Sequence, residues 1–217
     1  NLARGLAELG VELVASGGTS KALRDAGLEV LDVADLTGSP EMLGGRVKTL
    51  HPKVHGGILA RRELEQDVED LAKNGIGVID LVVVNLYPFE ETVARPDVSY
   101  AEAIEKIDIG GPSMVRSAAK NHAHVAVLCD PEDYSAVLTE LRDHDGLGEA
   151  TRRTLALKAF QSTASYDAAI QAWLVEQLKE ENENELDAKL IAAFPKASVL
   201  RYGENPHQSA SWFSSQT

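Results

Sequence analysis

Cysteine is nearly absent: Cys129 is the only one in 217 residues. No intrachain disulfide can form, which fits a reducing, cytoplasmic setting. Its flanks, AVLCDP, read as a strand, so Cys129 is expected to be a buried, inert thiol. Aromatic residues are few, at 5%, so a chain that is 44% hydrophobic must build its core from Val, Leu, Ile and Ala. Positive charge is also short, with 21 Lys+Arg against 34 Asp+Glu and a net charge of -13. That balance excludes a general nucleic-acid binder, which needs a broad basic face, and disfavours an anionic membrane surface. No apolar run reaches the length of a membrane span, and no basic segment precedes an apolar one as in a signal peptide. There is no G-x-G-x-x-G, Walker sequence, C-x-x-C or nucleophile elbow.

What is present is an alternation. Leu2, Leu6 and Leu9 share a helical face that Gly10 closes. The segments VELVA and EVLDVADL read as strands around the short helix KALRDAG, with Gly27 as its stop. Residues 37–57 are loop-like, and a charged helix covers roughly Leu64 to Lys73. Leu81 to Val84 is a continuous apolar run, the mark of a strand covered on both faces. SYAEAIEKI reads as a helix, and DIGGPS as a turn into another helix that ends near Asn121. HVAVLC reads as a strand, and Asp130 with Pro131 as a helix start. From Glu149 to Glu180 the pattern is helical, with Leu155, Phe160, Tyr166, Ile170, Trp173 and Leu174 on buried faces. KEENENELDAK is a solvated helix end or linker, and the texture changes after Pro195. The predicted class is α/β: a three-layer, mostly parallel sheet with helices on both faces, followed by a helical C-terminal extension.

Ligands of open α/β sheets sit at the carboxyl ends of the strands. Four loops fall there. SGGTS, Ser16 to Ser20, offers glycines and hydroxyls either to an anion or to a plain capped turn. GGRVKTLHPKVHGG lies in a stretch of 21 residues, Met42 to Arg62, that holds no acid where the chain average would place about three. In an extended backbone Arg46 and Lys48 point to one side, as an anion clamp would need; a solvated basic loop is the alternative. His51 and His55 have metal-like spacing, but Pro52 breaks an easy helix and neither Cys nor acid is near, so zinc is not expected. NLYPF brings Asn85 and Tyr87 to the end of the most buried strand, where the Tyr ring could equally pack on Pro88. In DIGGPSMVRSAAKN, Asp108 precedes a Gly-Gly turn with free amides, and Ser113, Arg116, Ser117 and Lys120 share a helix face. The residues alone indicate a binder of a small phosphorylated molecule, with Lys, Tyr and Asp available for proton transfer.

Taken together, SGGT, GGRVKTLHPKVHGGILA, VVVNLYPF, EKIDIGGPSMVRSAAKNH and LRYGENPHQ resemble, in order and spacing, the AICAR transformylase/IMP cyclohydrolase family. The resemblance implies a methylglyoxal-synthase-like cyclohydrolase domain over residues 1–195 and a truncated start of a transformylase domain over residues 196–217. It implies closure of formyl-AICAR to IMP without metal or organic cofactor. The transformylase would use 10-formyltetrahydrofolate as co-substrate. By the same resemblance the catalytic group matches Lys48, Tyr87, Asp108 and Lys120, with Lys120 as proton donor/acceptor, Asp108 adjusting it, and Lys48 and Tyr87 stabilising the departing oxygen. Nucleotide contacts match Ser16, Gly17, Gly18, Thr19, Arg46, Lys48, Thr49, Asn85, Leu86, Asp108, Ile109, Gly110 and Gly111, and Arg201 and Tyr202 match AICAR contacts of the transformylase. A cytoplasmic homodimer that binds neither nucleic acid nor membrane is implied.

The family carries a strand and a Ser-x-Ser-x-Lys phosphate loop ahead of the first helix, and this chain starts at Asn1 after them. The 217-residue chain alone is therefore expected to bind nucleotide poorly. The rival readings are a nucleotide-binding regulatory module, as in carbamoyl phosphate synthetase, and methylglyoxal synthase itself. The joint presence of Lys48, Tyr87, Asp108 and Lys120 favours the cyclohydrolase.

Overall fold

The computed structural model describes residues 1–86, 89–144, 146–181, 196–200 and 210–213. The elements in chain order are α1 (Leu2–Glu8), β1 (Val14–Ala15), α2 (Gly17–Asp25), β2 (Leu31–Asp32), α3 (Val33–Thr37) and α4 (Pro52–Leu59). They continue with α5 (Glu65–Asn74), β3 (Leu81–Val83), α6 (Phe89–Val93), α7 (Tyr100–Glu105), α8 (Gly110–Lys120), β4 (Ala126–Leu128), α9 (Tyr134–Asp143) and α10 (Glu149–Glu181). The last are β5 (Lys196–Leu200) and β6 (Ala210–Phe213), which pair antiparallel with each other.

Strand β4 shows why the layers form. Val127 joins Val54 and Ile58 of α4, Val115 and Ala118 of α8, and Ala156 and Ala159 of α10 in one core cluster. Its neighbours Ala126 and Leu128 join Leu2 and Leu6 of α1, Val137 and Leu138 of α9, and Leu155 of α10 in another. Successive side chains of a strand point to opposite faces, so an unbroken apolar strand needs an apolar layer on each side. The expected three layers follow. Strands β3 and β4 pair in parallel, with Val82 opposite Val127, and β1 pairs in parallel with β2. Among the described residues these are two separate two-stranded ladders rather than one continuous sheet.

Several local readings change. VELVA contributes only Val14 and Ala15 to a strand, with Val11 and Val14 exposed. EVLDVADL is mostly not a strand: Asp32 accepts a hydrogen bond from the Ala34 amide at 3.0 Å and caps α3, so the chain turns helical at Val33. SGGTS is not a loop but the first turn of α2, with Ser16 as N-cap. Pro52 does not break a helix; it opens α4 at the position where its missing N–H costs nothing. Phe160 is exposed on α10, where Arg116 stacks over its ring, whereas Leu155 and Tyr166 are buried as expected. Leu9 is exposed, beyond the end of α1. Cys129 is half-buried, and burial pushes its thiol above the usual range, as suits an inert cysteine. Among the described residues no helix is long and apolar enough to cross a membrane.

One buried polar side chain ties two helices of the same layer together. The Asn121 amide donates to the carbonyls of Ile58 at 2.7 Å and Ala60 at 3.0 Å, joining the C-terminal ends of α4 and α8. The two helices therefore run side by side in the same direction, with both N-termini at the carboxyl ends of β3 and β4.

Candidate active site

Three helix N-termini meet at the Lys48–Thr49 step. A Cβ placed on Gly17, the first residue of α2, would lie 3.1 Å from Lys48 Nζ, and Gly17 holds φ +52°. A Cβ placed on Gly110, the first residue of α8, would lie 2.8 Å from Thr49 Oγ1. Helix α4 starts three residues after Thr49, capped by His51, whose Nδ1 accepts from the Lys53 amide at 3.1 Å. Each N-terminus carries partial positive charge, which favours an anionic ligand, but at α4 Pro52 has no N–H and His51 takes the Lys53 amide, so amides for a ligand come from α2 and α8. The glycines serve a close approach here: a side chain at either position would fill the space between the helix and the Lys48–Thr49 step.

At the N-terminus of α8 one anion is already supplied. Asp108 Oδ1 accepts from the Gly111 amide at 3.0 Å, so that amide is not free for a ligand, contrary to the sequence expectation. Pro112 has no N–H, which leaves Gly110 to offer an amide in this turn. The Asp108 amide in turn donates to Tyr166 Oη of α10 at 2.8 Å. Burial raises the Tyr166 hydroxyl above its usual value, so it remains a neutral phenol.

The basic stretch does not form the expected clamp. Arg46 is in helical rather than extended conformation and its Nε pairs with Glu105 at 3.5 Å, both side chains largely exposed. Lys48 Nζ pairs with Glu41 Oε2 at 3.2 Å. The acids missing from the stretch are therefore brought to it by other segments. Ser16, Asp32, Val33, Ala34, Ser39, Glu41 and Lys48 surround a tight crevice with no room for a ligand. A ligand pocket needs open space between its walls, so a nucleotide here requires Glu41 to swing away from Lys48. A partly exposed pair of this kind contributes only about 0.2–1 kcal/mol, so the opening is cheap.

The remaining candidates divide clearly. Gly18 and Thr19 are exposed in the first turn of α2. Asn85 Oδ1 accepts from Tyr134 Oη at 3.0 Å, and Leu86 packs against the core cluster below the site. Ile109 is exposed at the N-cap of α8. Lys120 is exposed at the opposite end of α8, about 15 Å along the axis from Gly110 at 1.5 Å per residue. The fold therefore does not bring Lys120 to Asp108 within one chain. His51 and His55 take structural partners: His55 Nδ1 lies 3.1 Å from Ser117 Oγ, between α4 and α8. Tyr87, Arg201 and Tyr202 lie outside the described residues.

Two residues at the site were not among those the sequence singled out for function. Glu41 is an ordinary acid just ahead of the acid-free stretch. Tyr166 has one clue, a phenol on a helix face otherwise spaced for burial, because buried Tyr hydroxyls need partners.

Comparison with known proteins identifies the family. A family model described as an MGS-like domain matches residues 1–113, and one described as the AICARFT/IMPCHase bienzyme matches residues 118–217. The chain is similar to proteins named bifunctional purine biosynthesis protein PurH. It is 54% identical to that of Gloeothece citriformis over 218 residues, covering 100% of the chain and 42% of the relative. For Synechococcus elongatus the identity is 58% over 203 residues, covering 93% and 39%. The chain thus spans about two-fifths of the length of these curated relatives. Among solved structures, one titled the crystal structure of ForH superposes with a TM-score of 0.71 at 48% identity, covering 78% of this chain and 87% of that one. The chain belongs to the MGS-like domain family in residues 1–113 and to the AICARFT/IMPCHase bienzyme family in residues 118–217.

Proposed function

We propose that this chain carries an IMP cyclohydrolase: it closes formyl-AICAR (5-formamidoimidazole-4-carboxamide ribotide) to IMP with loss of water. The observation that carries the reading is the meeting of the α2, α4 and α8 N-termini around Lys48–Thr49, next to an Asp108 carboxylate held on α8. An anionic nucleotide phosphate suits the first feature, and proton transfer suits the second.

The chemistry needs little more. The carboxamide nitrogen attacks the formyl carbon of the same molecule, and a C–N bond forms. The nitrogen loses its proton to a base, the formyl oxygen gains negative charge, and that oxygen leaves as water after taking protons. Folding the substrate into a near-attack geometry supplies much of the rate. Lys48, once released from Glu41, supplies positive charge to the developing oxyanion. Asp108 accepts from or orients the amide, and Tyr87 assists the departing oxygen. The proton donor/acceptor role of Lys120 rests on sequence resemblance, and its distance from Asp108 makes it the assignment most in need of measurement. Ser16, Gly17, Gly18, Thr19, Arg46, Asn85, Leu86, Ile109, Gly110 and Gly111 would complete the nucleotide contacts. Residues 1–195 would form the cyclohydrolase domain and residues 196–217 the start of a transformylase. In the full-length protein that domain would formylate AICAR from 10-formyltetrahydrofolate, using Arg201 and Tyr202, in a cytoplasmic homodimer.

The test is IMP formation from formyl-AICAR by the full-length protein, wild type against Lys48→Ala, Asp108→Ala and Lys120→Ala. Wild-type turnover with a large loss in the Lys48 and Asp108 variants is expected. Nucleotide binding without turnover would replace the reading with a regulatory module. A Lys120→Ala protein with full activity removes Lys120 from the mechanism.

A further inference from the structure

From α10, Tyr166 reaches the first residue of α6 and the turn ahead of α8. Its hydroxyl accepts the Asp108 amide at 2.8 Å across 58 positions of sequence. Its ring meets Phe89 edge-on, with centroids 6.4 Å apart and planes at 74°. Phe89 is 2% exposed, and a second α10 residue, Trp173, packs edge-on against it at 5.6 Å. Tyr166 and Trp173 are seven residues apart, two helical turns, and so grip Phe89 from one face of α10. In the chain Phe89 stands two residues after Tyr87.

We propose that Tyr166 is a positioning residue for the ring closure, setting the Asp108 carboxylate through its backbone amide while anchoring the segment that follows Tyr87. The proposal deepens the cyclohydrolase reading and rests on it. The physical reason lies in how Asp108 is held. It precedes α8, outside the regular hydrogen bonding of the helix, and its carboxylate points back onto the Gly111 amide. Without a partner for its own N–H, the residue would be tied down at one end only. Tyr166, itself buried, supplies that partner as a neutral oxygen on a 33-residue helix, and the rigid ring lets α10 transmit its position with two torsions. A water could satisfy the same N–H but could not fix its direction. Misplacing a reacting group by about 1 Å can cost roughly a hundredfold in rate.

The experiment is a double-mutant cycle in the full-length protein: wild type, Tyr166→Phe, Asp108→Asn, and both together, with kcat and KM measured for formyl-AICAR cyclisation. Tyr166→Phe keeps the ring on Phe89 and removes only the hydroxyl. A kcat reduced roughly ten- to hundredfold is expected, with KM within about twofold and no further loss when the change is added to Asp108→Asn. A role in stability alone would lower the active fraction equally in both backgrounds. Wild-type kcat in Tyr166→Phe, or additive losses, would overturn the proposal. Wild-type kcat in Asp108→Asn would instead sink the catalytic reading on which it rests. If Tyr166→Phe folds poorly, amide hydrogen exchange in the unmodified protein decides: the Asp108 amide must be protected, and an unprotected amide ends the proposal.

Discussion

Replacing Gly111 by alanine adds one methyl group where the fold leaves no room for it. The new Cβ would lie 2.2 Å from Asp108 Oδ2, 3.0 Å from Asp108 Cγ and 3.1 Å from Val84 Cγ1. Ordinary contact begins near 3.4 Å, so the carboxylate must retreat by about 1.2 Å. Gly111 is within α8 and has no positive φ, so alanine suits its backbone and even gains up to about 1 kcal/mol in helix propensity. The steric cost of overpacking, about 1–3 kcal/mol, offsets that gain. The net change in stability is therefore small, on the order of 0–2 kcal/mol. The effect on catalysis is not small, because the displaced group is the proposed catalytic carboxylate: kcat should fall roughly a hundredfold. Gly110→Ala is the comparison: it fills space at the proposed ligand contact and should act on KM more than on kcat. Its Cβ would meet Thr49 Oγ1 at 2.8 Å, and a threonine rotamer can yield more readily than a carboxylate already bound to the helix. Spectrophotometric IMP formation and thermal melting of both variants read the two quantities. A Gly111→Ala protein with wild-type kcat, or one no slower than Gly110→Ala, would refute the reasoning.

Other perturbations probe separate links. Glu41→Gln breaks the ion pair of Lys48 and should lower the KM for nucleotide by about 1.4- to 5-fold, the equivalent of about 0.2–1 kcal/mol; a raised KM would make Glu41 a ligand group instead. Asn121→Ala leaves the Ile58 and Ala60 carbonyls without their donor and should cost about 1–3 kcal/mol, a fall in Tm of roughly 3–10 °C; a shift below about 1 °C would contradict the buried bridge. Burial lowers the His55 imidazole below its ordinary 6.5, so the folded chain binds that proton less readily than the unfolded one. The stabilisation is full above about pH 6.5 and is lost as pH falls towards the lower folded value; His55→Leu should flatten this part of a stability–pH curve, and an unchanged slope would exclude His55 as its source.

Much of the secondary structure was legible because its causes are local. The Ser99 hydroxyl and Glu102 form a capping box at α7, readable from S-x-x-E, and Gly75 closes α5 in left-handed conformation. The apolar run Leu81 to Val84 predicted a strand covered on both faces, yet in β3 Val82 is buried and Val83 exposed; it is β4 that α4/α8 and α1/α9 cover on both sides. Local signals also caused the misreadings. Valine-rich EVLDVADL looks like a strand by composition, yet Asp32 is a helix cap, and a cap outweighs the modest strand preference of its neighbours. SGGTS looks like a loop by its glycines, yet helix α2 begins inside it.

By itself the sequence determined the α/β class, the helices α1, α5, α7, α8 and α10, and the four segments from which a phosphate-binding site could be drawn. Those follow from periodicity and capping within a few residues. Only the tertiary structure decided which residues meet. It paired Lys48 with Glu41 and Arg46 with Glu105, and brought Gly17 and Gly110 against the Lys48–Thr49 step. It also separated Lys120 from Asp108 by the length of α8 and gave Asp108 a partner in Tyr166. The reason is that a side chain's partner across 58 residues depends on how helices pack, and packing is a property of the assembled core that no short window of sequence contains.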